Sequence, residues 1–159
     1  MTPLGAWATA RPQALLVFFD AVRMEKHRRF ADLGCGEGVA VCCAALFCRA
    51  VGIEADLSLC TEAQQNARAL GLAHRTAFLC ADFRHLRLHP FDVLYIYPDQ
   101  PLTALAHKLS GWNGTLLVYG PHFSPKDWKP IDVFRWERET LSLYAFPEPH
   151  GTEKASGKF

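Results

Sequence analysis

No two of the six cysteines, at positions 35, 42, 43, 48, 60 and 80, form a Cys-x-x-Cys pair, so the spacing expected of a zinc site is missing. Charge of one sign is missing as well: seventeen Lys plus Arg meet sixteen Asp plus Glu, for a formal net charge of +1. Without a large one-signed field, nucleic acid binding has no support from composition, although it is not excluded. The longest apolar run, Val39 to Cys48, is ten residues, against the roughly twenty needed to cross a bilayer. Met1, Thr2, Pro3 and Leu4 open the chain without the basic region and apolar core of a signal peptide. The expectation is a cytoplasmic chain without a membrane segment, whose cysteines fill space as small apolar side chains. There is no internal repeat.

What is present suffices for one core. A chain of 159 residues buries roughly 70% of its unfolded surface on folding. Half of the residues are hydrophobic and 21% are charged, the usage of a globular domain. Gln13 to Val22, "QALLVFFDAV", is apolar on most sides and then turns basic at Arg23, Lys26, Arg28 and Arg29. This predicts a helix whose positive end is favoured by the helix dipole. "RFADL" reads as a strand, the glycines after it as a turn, and "VAVCCAALFCRA" as a buried helix of about three turns. "VGIEAD" is a second strand, and Ser58 with Glu62 suits the opening of the helix "LCTEAQQNARALGL", which stops at Gly71. Further strands fall at "RTAFLCAD", "FDVLYIY" and "GTLLVYG", with a helix from about Leu102 to Leu109 between the last two.

Alternation of this kind predicts an α/β fold, a mostly parallel sheet covered by helices on both faces. After Gly120 the order breaks at "PHFSPKDWKP", and the nearly adjacent strands "IDVFRWER" and "TLSLYAFP" must pair as an antiparallel hairpin, since a parallel partner needs a long crossover. The expected organisation is one domain over 1–146, with 1–28 as an amino-terminal helix packed on it, and a flexible tail at 147–159.

A strand, a glycine turn, a helix and then an acid ending the next strand describe a nucleotide site at the carboxyl edge of an open sheet. The dinucleotide fingerprint Gly-x-Gly-x-x-Gly, started at Gly34, needs glycine at 39, where this chain has Val. The observed pattern is Asp32, Gly34, Gly36, Gly38. An acid ahead of the first glycine disfavours a pyrophosphate, whose charge wants the helix end unopposed, and suits a ligand with an amino group or sulfonium.

"FADLGCGEG" resembles the first motif of the Rossmann-like, seven-stranded S-adenosylmethionine-dependent methyltransferases, and the likeness continues in order over about Phe30 to Phe146. The resemblance implies a seven-stranded sheet closed by the carboxyl-terminal hairpin, with S-adenosylmethionine as the cofactor. It implies Asp32, Gly34, Gly36 and Gly38 as cofactor contacts, Glu54 as the acid on the two ribose hydroxyls, and Asp82 at the adenine amino group with Phe83 beside it. "FDVLYIY" resembles the fourth-strand motif, which brings Tyr95 into the set. Each has a plain structural alternative: a tight turn for the glycines, a solvated strand end for Glu54, a helix cap for Asp82.

Methyl transfer needs no metal; the protein supplies proximity, orientation and, for an amine, loss of a proton. Where enzymes acting on planar nitrogens carry Asn/Asp-Pro-Pro-Tyr/Phe, this chain has "YIYPDQP". Tyr97 and Asp99 there are the candidate catalytic residues, Asp99 having a helix cap as its alternative. The small size, "GIEADLSLCTEAQQNA" and "GTLLVYGPHFSPKDWKP" resemble the short lysine methyltransferases that act on ATP synthase c-subunit and adenine nucleotide translocase, and their bacterial relatives. That group usually has Ser or Thr at the position of Cys35 and Asp at that of Glu37. A lysine acceptor implies an aromatic slot, for which Trp7, Tyr95, Tyr97, Phe123 and Trp128 are the candidates. His85 and His89 lack a third ligand nearby, and Arg84, Arg87, Arg28 and Arg29 offer at most a weak basic rim. The function expected is methyl transfer to an amine nitrogen, a lysine in a protein, by a monomer or homodimer. The alternatives are a small-molecule or RNA methyltransferase, and a module that binds the cofactor without chemistry.

Overall fold

The computed structural model describes residues 10–125 and 127–147; Trp7 and the tail beyond 147 lie outside them. The elements run α1 (Pro12–Ala21), β1 (Arg29–Leu33), α2 (Val39–Ala45), β2 (Arg49–Glu54), α3 (Leu57–Ala69), β3 (Thr76–Cys80), β4 (Val93–Ile96), α4 (Thr103–Lys108), β5 (Gly114–Tyr119), β6 (Asp132–Trp136) and β7 (Glu139–Phe146). They form one seven-stranded sheet in the order β3-β2-β1-β4-β5-β7-β6. The first five strands are parallel, and β7 runs antiparallel to both β5 and β6. The α/β sheet and the closing hairpin are those expected.

Why the strands take this order follows from their composition. All four residues of β4 are buried, as are four of five in β1, which suits interior strands covered on both faces. The edge strands β3 and β6 keep much of their length exposed. The register sets Asp32, Gly52, Phe78, Tyr95 and Leu117 in one row across five strands. That row faces the layer made by α1 and α2, whose core holds Leu15, Phe18, Phe19, Phe30, Val41 and Tyr95. On the other face, α4 covers Leu94, Leu116, Val118 and Trp112, whose indole Nε1 donates to the Phe91 carbonyl at 2.8 Å.

Helix α1 starts with Pro12 at its first position, where the missing N–H costs nothing. It buries Ala14, Leu15, Phe18 and Phe19. Phe19 meets Phe30, Phe47 and Tyr95 edge-on. Burying each phenylalanine stabilises the contact by about 1.5–3 kcal/mol. The helix ends at Ala21, and Arg23, at φ 55°, turns the chain so that Met24 is buried. The basic residues therefore fall outside the helix, and the expected dipole interaction does not form.

Two further boundaries differ from expectation. Helix α2 stops at Ala45, and β2 already begins at Arg49, because Arg49 must pair beside Arg29 to give β2 its full register on β1. The cap of α3 is Asp56, whose Oδ1 accepts from the Leu59 N–H at 3.1 Å. Ser58 lies exposed inside the first turn instead.

Candidate active site

At β1 the strand order reverses: successive strands lead outward through β2 to β3 on one side and through β4 to β5 on the other. Ligands of open α/β sheets bind at the carboxyl ends of the strands flanking such a switch. The residues there are the glycine turn after β1 and the loop after β4.

Gly34, Gly36 and Gly38 all have positive φ, at 82°, 52° and 86°, a conformation that an L side chain resists. Gly38 also faces α3: a Cβ there would lie 3.0 Å from that of Ala63 and 3.2 Å from the Phe78 ring. The turn is fastened at three points. The Gly34 and Cys35 N–H groups donate to the Ile53 carbonyl at 2.8 and 3.0 Å. The Gly36 N–H donates to Glu54 Oε2 at 2.9 Å. Asn66 Nδ2 on α3 donates to the Glu37 carbonyl at 3.1 Å.

Glu54, at the end of β2, is 9% exposed, and its second oxygen accepts from the Asp56 N–H at 3.1 Å. Asp32 is 4% exposed. Burial, and then the neighbouring Glu54, holds its carboxyl well above the usual range. Among the described residues, neither carboxylate is in an ion pair, and no hydrogen bond reaches the Asp32 carboxylate. Burial, then Asp32 and Glu54, also raises the Cys35 thiol, so it stays protonated and packs. Gly52 is a site residue that sequence reasoning missed: a Cβ on it would lie 2.7 Å from Cys35 Sγ and from the Phe78 ring. Asn66 is another, an unremarked polar residue in a helical run.

Asp82 follows β3 and caps a short 3-10 turn at Phe83–His85. Its carboxylate is gripped by Arg84, with Nε at 3.0 Å from both oxygens and the backbone N–H at 2.9 Å. These bonds hold the carboxyl down at about 2. Phe83, half-buried, packs toward the α4 layer.

The aromatic candidates do not assemble into one slot among the described residues. Tyr95 is 2% exposed and packs on Phe19, Phe30 and Tyr119, so it supports Asp32 from within the core rather than walling a ligand. Its hydroxyl has no hydrogen-bond partner among the described residues. Trp128 packs on Tyr144 and Phe146 in the other layer, toward the amino edge of β5, beside a cavity of about 400 Å³. Phe123 stands exposed after β5 at φ 59°. Only Tyr97, half-buried just past β4, sits near the switch point. Asp99 is exposed, and it does not cap α4, whose cap position is Leu102 without a side-chain bond.

The basic residues do not form a rim either. Arg84 lies past the carboxyl end of β3, whereas Arg28 and Arg29 lie at the amino end of β1, where their N–H groups donate to Asp92. His85 and His89 are exposed. Among the described residues, no group of three or more metal-ligating side chains converges, and no helix is long and apolar enough to cross a membrane.

Residues 30–108 match the family described as a methyltransferase domain. No curated protein matches the chain. Among solved structures, an RNA methyltransferase from Salinibacter ruber in complex with S-adenosyl-L-homocysteine superposes with a TM-score of 0.76 at 24% identity, covering 92% of this chain and 98% of that one. An S-adenosylmethionine-dependent O-methyltransferase from Thermotoga maritima gives 0.66 at 12% identity, over 88% and 67%. Coclaurine N-methyltransferase gives 0.58 at 20% identity, over 68% of this chain but 35% of that one. At these identities the likeness is one of fold, and it spans enzymes with three kinds of acceptor. Residues 30–108 thus match a methyltransferase-domain family, and the chain has the seven-stranded Rossmann-like fold of those enzymes.

Proposed function

We propose that the chain is an S-adenosylmethionine-dependent methyltransferase that binds its cofactor at the Gly34–Gly38 turn and methylates an amine nitrogen. The observation that carries the cofactor reading is the pair of buried carboxylates, Asp32 and Glu54, at one left-handed glycine turn, with no cation paired to either among the described residues. Such a turn repels a pyrophosphate and favours an ammonium or sulfonium. When bound, the cofactor supplies a methyl group made electrophilic by its sulfonium.

The chain's own residues bind and orient. Asp32 and the turn's backbone hold the amino-acid end. Each oxygen of Glu54 already accepts one backbone N–H, which fixes the carboxylate and leaves lone pairs for two ribose hydroxyls. Phe83 and Asp82 take the adenine end, which requires Asp82 to share its carboxylate with Arg84. Tyr97 and Asp99 border the acceptor. A protein lysine is the acceptor that the sequence resemblance implies.

Incubation with methyl-labelled cofactor and a cell extract, then separation into protein, RNA and small molecules, tests the reading. Label in protein supports the lysine acceptor, and label in RNA replaces it. Label nowhere, with S-adenosylhomocysteine still bound, leaves a binding module without chemistry.

A further inference from the structure

We propose that Glu139, steadied by Tyr119 beside Tyr97, is the acceptor-binding carboxylate of this fold and that it takes a cationic nitrogen, a primary ammonium. The proposal rests on reading the glycine turn as the cofactor site, since it places the acceptor next to that site on the same sheet edge.

The strand pairing locates the residue. β7 runs antiparallel to β5, with Tyr119 opposite Leu141 and the Gly120 N–H bonded to the Thr140 carbonyl at 2.9 Å. Glu139, two residues before Leu141, therefore points to the same face as Tyr119. It stands where the parallel strands end, on the edge that carries the glycine turn. The Tyr119 hydroxyl donates to Glu139 Oε2 at 2.8 Å, and no donor reaches Oε1 among the described residues. One oxygen is held and the other is free to accept.

The ring beside it completes the chemistry. Tyr97 lies 4.9 Å from Tyr119, centroid to centroid, and is only half-buried. Gly120 leaves that ring uncovered: a Cβ there would sit 3.5 Å from it. Burial and then the charge of Glu139 raise the Tyr97 hydroxyl, so the phenol stays neutral and its ring is an uncharged wall. A carboxylate at the edge of an aromatic face is the usual surrounding of an ammonium.

The nearby guanidinium of Arg11 is committed elsewhere. Arg11 gives its backbone N–H to the Tyr119 hydroxyl at 3.2 Å, but its guanidinium pairs with Glu137 at 2.6 Å and lies 5.1 Å over the Trp136 ring. Of the groups around Glu139 from the start of α1, the end of β4, β5 and the β6–β7 turn, Arg11 is paired with Glu137, Tyr97 and Tyr119 are uncharged, and Arg138, next to Glu139 in the turn, is exposed and in no ion pair among the described residues. Asp99, the carboxylate that the sequence singles out, makes no hydrogen bond among those described and is exposed.

Backbone amide shifts of Tyr97, Tyr119 and Glu139 would be followed by NMR during titration with n-butylammonium chloride, with 1-butanol as the neutral control. Saturable shifts with the cation alone are expected, weakened about fivefold or more in Glu139→Gln. Tyr119→Phe, which keeps the carboxylate but loses its hydrogen bond, should fall between. The proposal is overturned if butanol binds as well, if the wild-type chain does not bind the cation, or if Glu139→Gln binds it as the wild type does. Titrations run with and without S-adenosylhomocysteine separate the two readings. Loss of S-adenosylhomocysteine binding alone removes the cofactor site and leaves the Glu139 result standing.

Discussion

At the carboxyl end of β1 the candidate ligand surface is made of backbone, whereas at the end of β5 it is made of side chains. The first half consists of three left-handed glycines, N–H groups aimed at carbonyls and at Glu54, and one buried acid that no donor reaches among the described residues. The second consists of Tyr97, Tyr119 and Glu139, brought together from three strands by the sheet pairing. A backbone site is tied to short sequence patterns, because only glycine tolerates those dihedrals. A side-chain site can be rebuilt with other residues on the same frame, which fits one fold serving RNA, O- and N-methyltransferases.

If the first half depends on backbone shape, then Gly38→Ala should have the largest effect. The substitution meets both a positive φ and contacts of 3.0–3.2 Å with Ala63 and Phe78. A loss of about 3 kcal/mol in urea unfolding is expected, from the left-handed backbone and the overpacking together. Full stability would mean that the turn is not shaped by these contacts.

Asp32→Asn separates binding from folding. Burial and Glu54 raise the folded-state pKa of Asp32 above its unfolded value, so its contribution to stability is present in acid and lost as the pH rises above about 4. The Asn variant should therefore be more stable than the wild type at pH 7, with the difference vanishing below about pH 4. Its affinity for S-adenosylhomocysteine should nevertheless fall about tenfold or more. A variant that is both less stable and unchanged in affinity would make Asp32 a structural residue.

Tyr95→Phe gives the smallest effect and marks the limit of the site. Removing a buried hydroxyl that has no partner among the described residues should raise stability by about 1 kcal/mol and leave affinity for S-adenosylhomocysteine within about twofold. A weakened affinity would return Tyr95 to the binding surface.

The same division governs what could be read from the sequence. Asp32, Gly34, Gly36, Gly38 and Glu54 are close in the chain and chemically distinctive, and the structure gathers them at one turn. The end of α2 was not legible, because Val39 to Cys48 is apolar throughout and periodicity cannot mark where helix gives way to strand. Asp56 and Ser58 are both good caps, and only geometry chooses between them. Trp128 looked like a slot residue because sequence does not tell which layer a loop covers. Glu139 went unnoticed because its meaning comes from Tyr119, twenty residues away and on another strand.

Calorimetry with S-adenosylhomocysteine, using NAD as the rival ligand, tests the central assignment most directly, on the wild-type chain and on Glu54→Ala. The expected result is binding of S-adenosylhomocysteine in preference to NAD, weakened in Glu54→Ala by about 1.5–3 kcal/mol as charge-assisted hydrogen bonds are lost. Tighter binding of NAD, or an affinity of Glu54→Ala within about twofold of the wild type, would contradict it.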